Sequence, residues 1–60
     1  MNINDVIEHK NSFTKWIITS KENNNYSIYR YYNDGIDYES NIILNNNKLN
    51  KYFNFYYKTK

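Results

Sequence analysis

The tripeptide Asn33-Asp34-Gly35 lies between two aromatic segments, and it constrains the fold more than any other feature of the chain. An Asp-Gly pair at this place is typical of the type I′ turn, in which both central residues adopt positive φ. Residues 26–32 and 36–44 on either side are rich in aromatic and β-branched side chains. The sequence therefore predicts a β-hairpin built from these two strands.

A two-residue turn at Asp34-Gly35 would also fix which residues face each other across the hairpin. Tyr31 would lie opposite Tyr38, and Arg30 would form a cross-strand ion pair with Glu39. One face of the predicted hairpin collects Tyr29, Tyr31, Tyr38 and Ile42, and the other collects Arg30, Asp37 and Glu39.

The remaining segments predict one more strand and two helices. Residues 13–20 have the composition of a strand. Ile3, Val6 and Ile7 are spaced like one face of a short N-terminal helix. A longer apolar stripe predicts a C-terminal amphipathic helix, capped by Asn47. We therefore expect a single α+β domain over residues 1–60, with a short N-terminal helix, a three-stranded antiparallel sheet and the C-terminal helix packed on that sheet. The stripe consists of Leu49, Tyr52, Phe53, Tyr56 and Tyr57.

The residue types present argue against catalysis. The chain has no Cys and a single His, His9, whereas a metal site needs several such ligands. It contains no Gly-rich phosphate loop, and its serines have no base beside them in a known motif. We expect no enzymatic activity, no cofactor and no metal. The lack of Cys, of a bilayer-length apolar run and of a signal-peptide start indicates a cytoplasmic protein.

Charge is distributed unevenly along the chain and suggests two binding surfaces. Residues 1–40 carry four cations and six acids, a net charge of −2, whereas residues 41–60 carry four lysines and no acid, a net charge of +4. An acidic hairpin tip can enter a basic cleft of a partner. A basic, aromatic tail can contact nucleic acid by charge and stacking. The tip comprises Tyr32, Asn33, Asp34, Gly35, Asp37, Tyr38 and Glu39, and the tail contacts are Lys51, Phe55, Lys58 and Lys60.

Two short segments resemble a family of small phage-encoded anti-CRISPR proteins that inhibit a type II RNA-guided DNA nuclease. Met1–Ile7 (MNINDVI) is similar to the opening of that family, and Tyr32–Tyr38 (YNDGIDY) is similar to its hairpin, with a looser similarity through Lys51–Phe53. The expected order of helix, three strands and helix is also that of the family. The chain departs from the family after Glu39, where lysines replace a strongly acidic segment.

The resemblance implies an inhibitor in the host cell cytoplasm that imitates DNA with acidic side chains. It assigns the hairpin that reaches toward a nuclease domain to Asn33, Asp34, Gly35 and Asp37. The partner would be a CRISPR effector protein or its complex with guide RNA, and the effect would be a block of target DNA binding or cleavage.

Two other functions remain open from the sequence. The basic tail would suit a small nucleic-acid-binding module. The eight tyrosines exceed what so small a core can hold, which would suit a structural protein or a homodimer that buries them between copies. All three hypotheses have the chain act through its surface.

Overall fold

The computed structural model describes residues 1–59 as a five-stranded antiparallel sheet with one short helix. The sheet order is β4-β3-β2-β1-β5, so four strands follow one another and the fifth returns to pair with the first. The predicted α+β arrangement, with two helices and three strands, is therefore wrong. The elements are β1 (Asp5–His9), β2 (Lys15–Glu22), β3 (Asn25–Tyr32), β4 (Gly35–Asn45), α1 (Asn46–Tyr52) and β5 (Phe53–Lys58).

The segment predicted as an N-terminal helix is strand β1. Val6 pairs with Ile17 of β2, and Ile7 pairs with Trp16. Val6 and Ile7 are both fully buried, as neighbouring residues are when both faces of a strand are covered. The helical spacing depended on Ile3, which precedes the strand and is exposed. Two adjacent apolar residues fit such a strand as well as they fit one side of a helix.

The predicted C-terminal helix is cut short. Helix α1 begins after Asn45, whose side chain accepts a hydrogen bond from the amide of Lys48 at 2.9 Å, two residues before the expected cap. At Phe53 the backbone turns to extended geometry, with φ −130° and ψ 147°. The run of aromatic residues that follows favours a strand, and β1 offers it a free edge. Of the predicted stripe, only Leu49 and Phe53 are buried.

The predicted hairpin is present as β3 and β4, but its turn lies one residue earlier than expected. Tyr32 pairs with Gly35, which leaves Asn33 and Asp34 as the loop. Neither loop residue has positive φ, so the turn is not type I′. Gly35 instead adopts a φ of 142°, a backbone geometry that favours glycine.

This change of turn moves the cross-strand register by two residues. Arg30 pairs with Asp37 rather than with Glu39, and the predicted Arg30–Glu39 ion pair is not formed within the described chain. A shift by an even number leaves each side chain on its original face. The predicted grouping of Tyr29 with Tyr38 is therefore confirmed, and their ring centroids lie 5.5 Å apart.

Strand β4 contains an irregularity that reverses the direction of its later side chains. Between the pairs Arg30–Asp37 and Ile28–Ile42, β3 contributes one residue and β4 contributes four. Because the excess is odd, Ile42 points to the opposite face from Tyr38. The prediction that these two side chains share a face is wrong.

Two polar side chains replace the backbone pairing that this irregularity interrupts. The Ser40 hydroxyl accepts a hydrogen bond from the amide of Arg30 at 2.9 Å and donates to the carbonyl of Asp37 at 2.8 Å. The Asn41 amide donates to the carbonyl of Ile28 at 3.2 Å. These side chains supply partners to backbone groups of β3 that face no β4 backbone here.

The two faces of the sheet are covered by different means. On the face that we call the helix face, Leu49 of α1 packs against a cluster of buried side chains that includes Ile7, Ile18 and Ile28. On the opposite face, Val6 and Ile17 are 0% and 5% exposed although no helix lies over them. We call this second side the tyrosine face, because Tyr29, Tyr31, Tyr38, Tyr56 and Tyr57 lie over it. No helix within residues 1–59 is long and apolar enough to cross a membrane.

Candidate binding surface on the tyrosine face

Tyrosine rings from β3 and β5, the strands on either side of β2 and β1, meet above Val6 and Ile17 on the same face of the sheet. Tyr57 of β5 is the register partner of Val6, and Tyr29 of β3 is the partner of Ile17, so these side chains point to the same side. Tyr57 lies close enough to Tyr31 of β3 for this neighbour to raise the pKa of the Tyr57 phenol. Since β2 and β1 lie between β3 and β5, the contact spans the middle of the face.

Tyr56 reaches the same face through a bulge in β5. The bulge lies between the pairs Val6–Tyr57 and Ile7–Phe55, which leaves Tyr56 as the extra residue. Its ring lies 5.4 Å from that of Tyr57. The bulge thus directs two successive tyrosines to one side of the strand.

One lysine lies among these rings, and its charge is matched by an acid. The Lys15 ammonium lies 4.7 Å from the centroid of the Tyr56 ring. The same ammonium lies 2.9 Å from a carboxylate oxygen of Glu8. The charge of Lys15 is therefore balanced where it lies among the tyrosine rings.

A groove of about 560 Å³ crosses the tyrosine face toward the hairpin tip. Val6 contributes to its lining beneath the tyrosines. Tyr56 and Tyr57 line it from β5, while Tyr32 and Asn33 line it from the end of the hairpin. The tyrosine face and the hairpin tip therefore form one continuous surface.

The outer tyrosines of this surface are well exposed. Tyr38 is 70% exposed and Tyr56 is 52% exposed. Tyrosine is enriched at protein interfaces, whose centres are depleted of charged residues. The exposed tyrosines therefore give this surface the composition of an interaction site.

The predicted acidic hairpin tip is only partly a single site. Asp34 is exposed on the loop, whereas Asp37 is half-buried and is the cross-strand register partner of Arg30. A carboxylate oxygen of Asp37 accepts a hydrogen bond from the amide of Glu39 at 3.0 Å. Glu39 is exposed within the irregular part of β4. The residues of the predicted set that lie on the tyrosine face or its groove are Tyr32, Asn33 and Tyr38.

The residues predicted to contact nucleic acid that the structure describes lie on α1 and β5. Lys51 lies on α1, and Phe55 is exposed on the helix side of β5. Lys58 is held by Asp5, whose Oδ1 atom lies 3.0 Å from the lysine Nζ. Lys60 lies outside the described residues. Of the two lysines of this set that the structure describes, Lys58 is therefore neutralised by Asp5, whereas Lys51 forms no ion pair.

Asp5 is a buried carboxyl group that the sequence did not single out. Its Oδ2 atom accepts a hydrogen bond from the amide of Asn2 at 2.8 Å, and its Oδ1 atom faces Lys58. Burial by itself raises the pKa of Asp5, but the bond from Asn2 and the nearby Lys58 ammonium together outweigh burial, so the pKa lies below its ordinary value. This ionised group ties β1 to β5.

The sequence missed Tyr56 and Tyr57 as surface residues because it assigned them to a buried helical stripe. The signal that could have found them is the unbroken aromatic run with Phe55. Three successive aromatic residues would occupy three different sides of a helix, whereas aromatic residues are favoured in strands. A strand at this position would have predicted a largely exposed aromatic edge.

Comparison of the chain with protein-family models, with curated proteins and with solved structures finds no match. Within residues 1–59, no group of three or more His, Asp or Glu side chains is placed to hold a metal ion. The surface formed by the tyrosine face and the hairpin tip is the feature from which a function can be inferred.

Proposed function

We propose that this chain is a small inhibitory binding protein that docks on a CRISPR effector nuclease complex and blocks its binding or cleavage of target DNA. The tyrosine face and the adjoining hairpin tip form the interface. The observation that carries this proposal is the exposed layer of tyrosines continuous with Tyr32 and Asn33.

The composition of this surface favours a protein partner over nucleic acid. Binding to nucleic acid depends on cations that neutralise phosphates. Lys15 is already paired with Glu8, and Lys58 is paired with Asp5 on the other side of the sheet, which leaves Arg30 as the one unpaired cation among the described residues that line the groove. Exposed tyrosines with few charges match the centre of a protein interface better.

The identity of the partner is supported by the hairpin alone. The segment Tyr32–Tyr38 that resembles the anti-CRISPR family forms an exposed turn beside the groove. The segment Met1–Ile7, by contrast, contributes to strand β1 rather than to a helix, so the likeness in fold gives no support. An inhibitor of such an effector would act in the cytoplasm, where the effector meets its DNA.

The proposal can be tested by measuring cleavage of labelled target DNA by a purified type II effector with its guide RNA, with and without this protein. We expect inhibition and co-elution of the two proteins. Tyr56→Ser should weaken inhibition at least about tenfold, as loss of an interface anchor does. Phe55→Ser is the matched control, because Phe55 is similarly exposed at 55% but lies on the opposite side of β5.

A second pair of variants tests the hairpin tip. Asp34→Lys reverses a charge on the exposed loop and should weaken inhibition. Glu22→Lys makes the same change at an exposed site at the far end of β2 and should leave inhibition intact. Full inhibition by both Asp34→Lys and Tyr56→Ser would contradict the proposed interface.

Self-association is the alternative use of the same face. Light scattering on the purified protein distinguishes the two, and we expect a monomer. A dimer that Tyr56→Ser dissociates would assign the tyrosine face to a second copy of this chain instead.

A further inference from the structure

A second groove lies on the helix face, beside the end of α1. Its volume is about 400 Å³, and apolar and aromatic side chains supply most of its lining. A concave, mainly apolar site of this size with few polar groups is typical of small-molecule binding. The lining includes His9, Trp16, Ile42, Leu44, Tyr52 and Phe53.

Arg30 also lines this groove, and its charge is unmatched there. The guanidinium carbon lies 5.6 Å from the centroid of the Trp16 ring and 4.9 Å from that of Tyr32, so aromatic rings hold the group in place. Among the residues that the structure describes, Arg30 forms no ion pair, and its Nε atom is buried without a hydrogen-bond partner. The nearest acid in register, Asp37, bonds to a backbone amide instead.

His9 adds a neutral polar group to the lining. Its Nδ1 atom accepts hydrogen bonds from the amides of Asn11 at 3.1 Å and Ser12 at 3.3 Å. An accepting Nδ1 places the proton of the neutral ring on Nε2. The ring is held by Phe53, whose centroid lies 5.1 Å away in an edge-to-face contact.

We propose that this groove binds a small amphipathic carboxylate. The apolar or aromatic body of the ligand lies among Trp16 and Phe53, and its carboxylate pairs with the guanidinium of Arg30. A planar guanidinium matches the two oxygens of a carboxylate. A single cation balances one negative charge, whereas a doubly charged phosphate would remain partly uncompensated in so apolar a site.

This site is separate from the proposed interface. The carboxylate groove lies on the helix face, and the docking surface is built on the tyrosine face. Thr14 and Arg30 line both grooves, but the interface variants Tyr56→Ser and Asp34→Lys change no residue that lines the carboxylate groove. Failure of one proposal therefore leaves the other standing.

The test uses indole-3-acetate as the probe and its uncharged analogue indole-3-ethanol as the comparison. NMR titration follows the indole N–H of Trp16, which donates to the Thr14 hydroxyl at 2.9 Å. We expect indole-3-acetate to shift this signal and to bind at least about tenfold more tightly than indole-3-ethanol. Equal affinity for the acid and the alcohol, or no shift at Trp16, would overturn the proposal.

Substitutions in and beside the groove test whether the ligand carboxylate binds at Arg30. Arg30→Gln should remove the preference for the acid over the alcohol. Ile42→Asp adds a negative charge to the groove wall with Arg30 intact and should weaken binding of the acid at least about tenfold. Ile43→Asp is the matched control, because the neighbouring side chain is 65% exposed and lies outside this groove. Unchanged binding in Ile42→Asp would contradict the assignment.

A carboxylate of this kind could belong to a free acid or to the C-terminus of a peptide. A short peptide ending in tryptophan is therefore titrated as the free acid and as the amide. Tighter binding of the peptide acid than of indole-3-acetate assigns the groove to a protein C-terminus, and the reverse order assigns it to a free small acid. If the peptide acid and its amide bind equally, the pairing with Arg30 is wrong.

Discussion

The helix face and the tyrosine face bury apolar side chains in different ways. On the helix face, Leu49 closes a cluster in which Ile7, Ile18 and Ile28 are fully buried. On the tyrosine face, Val6 and Ile17 are also buried, but the rings above them stay partly in solvent. Tyrosine can do this because its ring is apolar and its hydroxyl is polar. Within residues 1–59, a single seven-residue helix covers one side of the sheet, and tyrosine side chains cover the other.

This difference predicts where the molecule tolerates change. The cover of the helix face is part of the fold, so its loss should unfold the protein. The outer part of the tyrosine cover is a surface layer, so its loss should alter binding more than stability.

The largest effect is expected for Leu49→Ala. This change leaves a cavity under α1 and should cost about 2–5 kcal/mol of unfolding free energy. For a domain of this size, such a loss approaches the whole stability. Urea denaturation followed by circular dichroism provides the measurement. Lys48→Ala, at the exposed neighbouring position, should change the free energy by less than about 0.5 kcal/mol.

The same substitution on both faces gives a direct contrast. Tyr26 is 3% exposed in the helix-face cluster, and Tyr26→Ser should cost about 3 kcal/mol or more. Tyr38→Ser on the tyrosine face should cost less than about 0.5 kcal/mol. Equal losses of unfolding free energy in the two variants would show that both covers are structural.

The irregular part of β4, where side chains change face, should give an intermediate effect. Ser40→Ala removes the partner of the Arg30 amide and should cost about 1–3 kcal/mol. Hydrogen exchange of that amide should accelerate in the same variant. Glu39→Ala, at the exposed position beside it, is the control, and an equal loss there would exclude a specific role for the hydroxyl.

The ion pairs give a smaller contrast, which depends on pH. The pKa of Asp5 is lowered in the folded state, so its carboxylate stabilises the fold above the unfolded value of about 3.9, and this contribution is lost as pH falls through the folded pKa. Asp5→Asn should cost about 1–2 kcal/mol at neutral pH, and the gap to the parent should close in acid. Glu8→Gln breaks the pair with Lys15, in which the carboxylate is more exposed than that of Asp5, and should cost no more than about 1 kcal/mol. A gap that persists in acid would argue against ionisation of Asp5 as its cause.

The hairpin could be predicted from sequence because its signals are local. The aromatic segments on either side of Asn33 and Asp34 predicted β3 and β4, and the predicted ends of both strands lie within about one residue of the observed ones. The face to which the later side chains of β4 point could not be predicted. It depends on the side chains of Ser40 and Asn41, which replace backbone partners of β3. The turn position likewise differs by one residue, because Gly35 serves the first position of β4 rather than the loop.

The two terminal strands could not be predicted, because tertiary pairing decides them. Residues 5–9 and 53–58 become strands by pairing with each other across most of the chain. Either segment alone carries apolar spacing compatible with a helix. The residues of the candidate surface differ in the same way. The local hairpin signal predicted Tyr32, Asn33 and Tyr38 as partner-binding residues, whereas Tyr56 and Tyr57 could be placed on the surface only once β5 was known to be a strand.

The pairing of β1 with β5 has a consequence for how the protein is made. Strand β1 emerges from the ribosome before the other four strands, yet one of its two neighbours is encoded about fifty residues later. The amide of Thr59 reaches back to the carbonyl of Asn4 at 3.0 Å, so this closure extends beyond the strands themselves. A nascent chain that has released only β1 to β4 still carries Val6 and Ile7 on a bare sheet edge, and the complete sheet forms only after translation has passed residue 58.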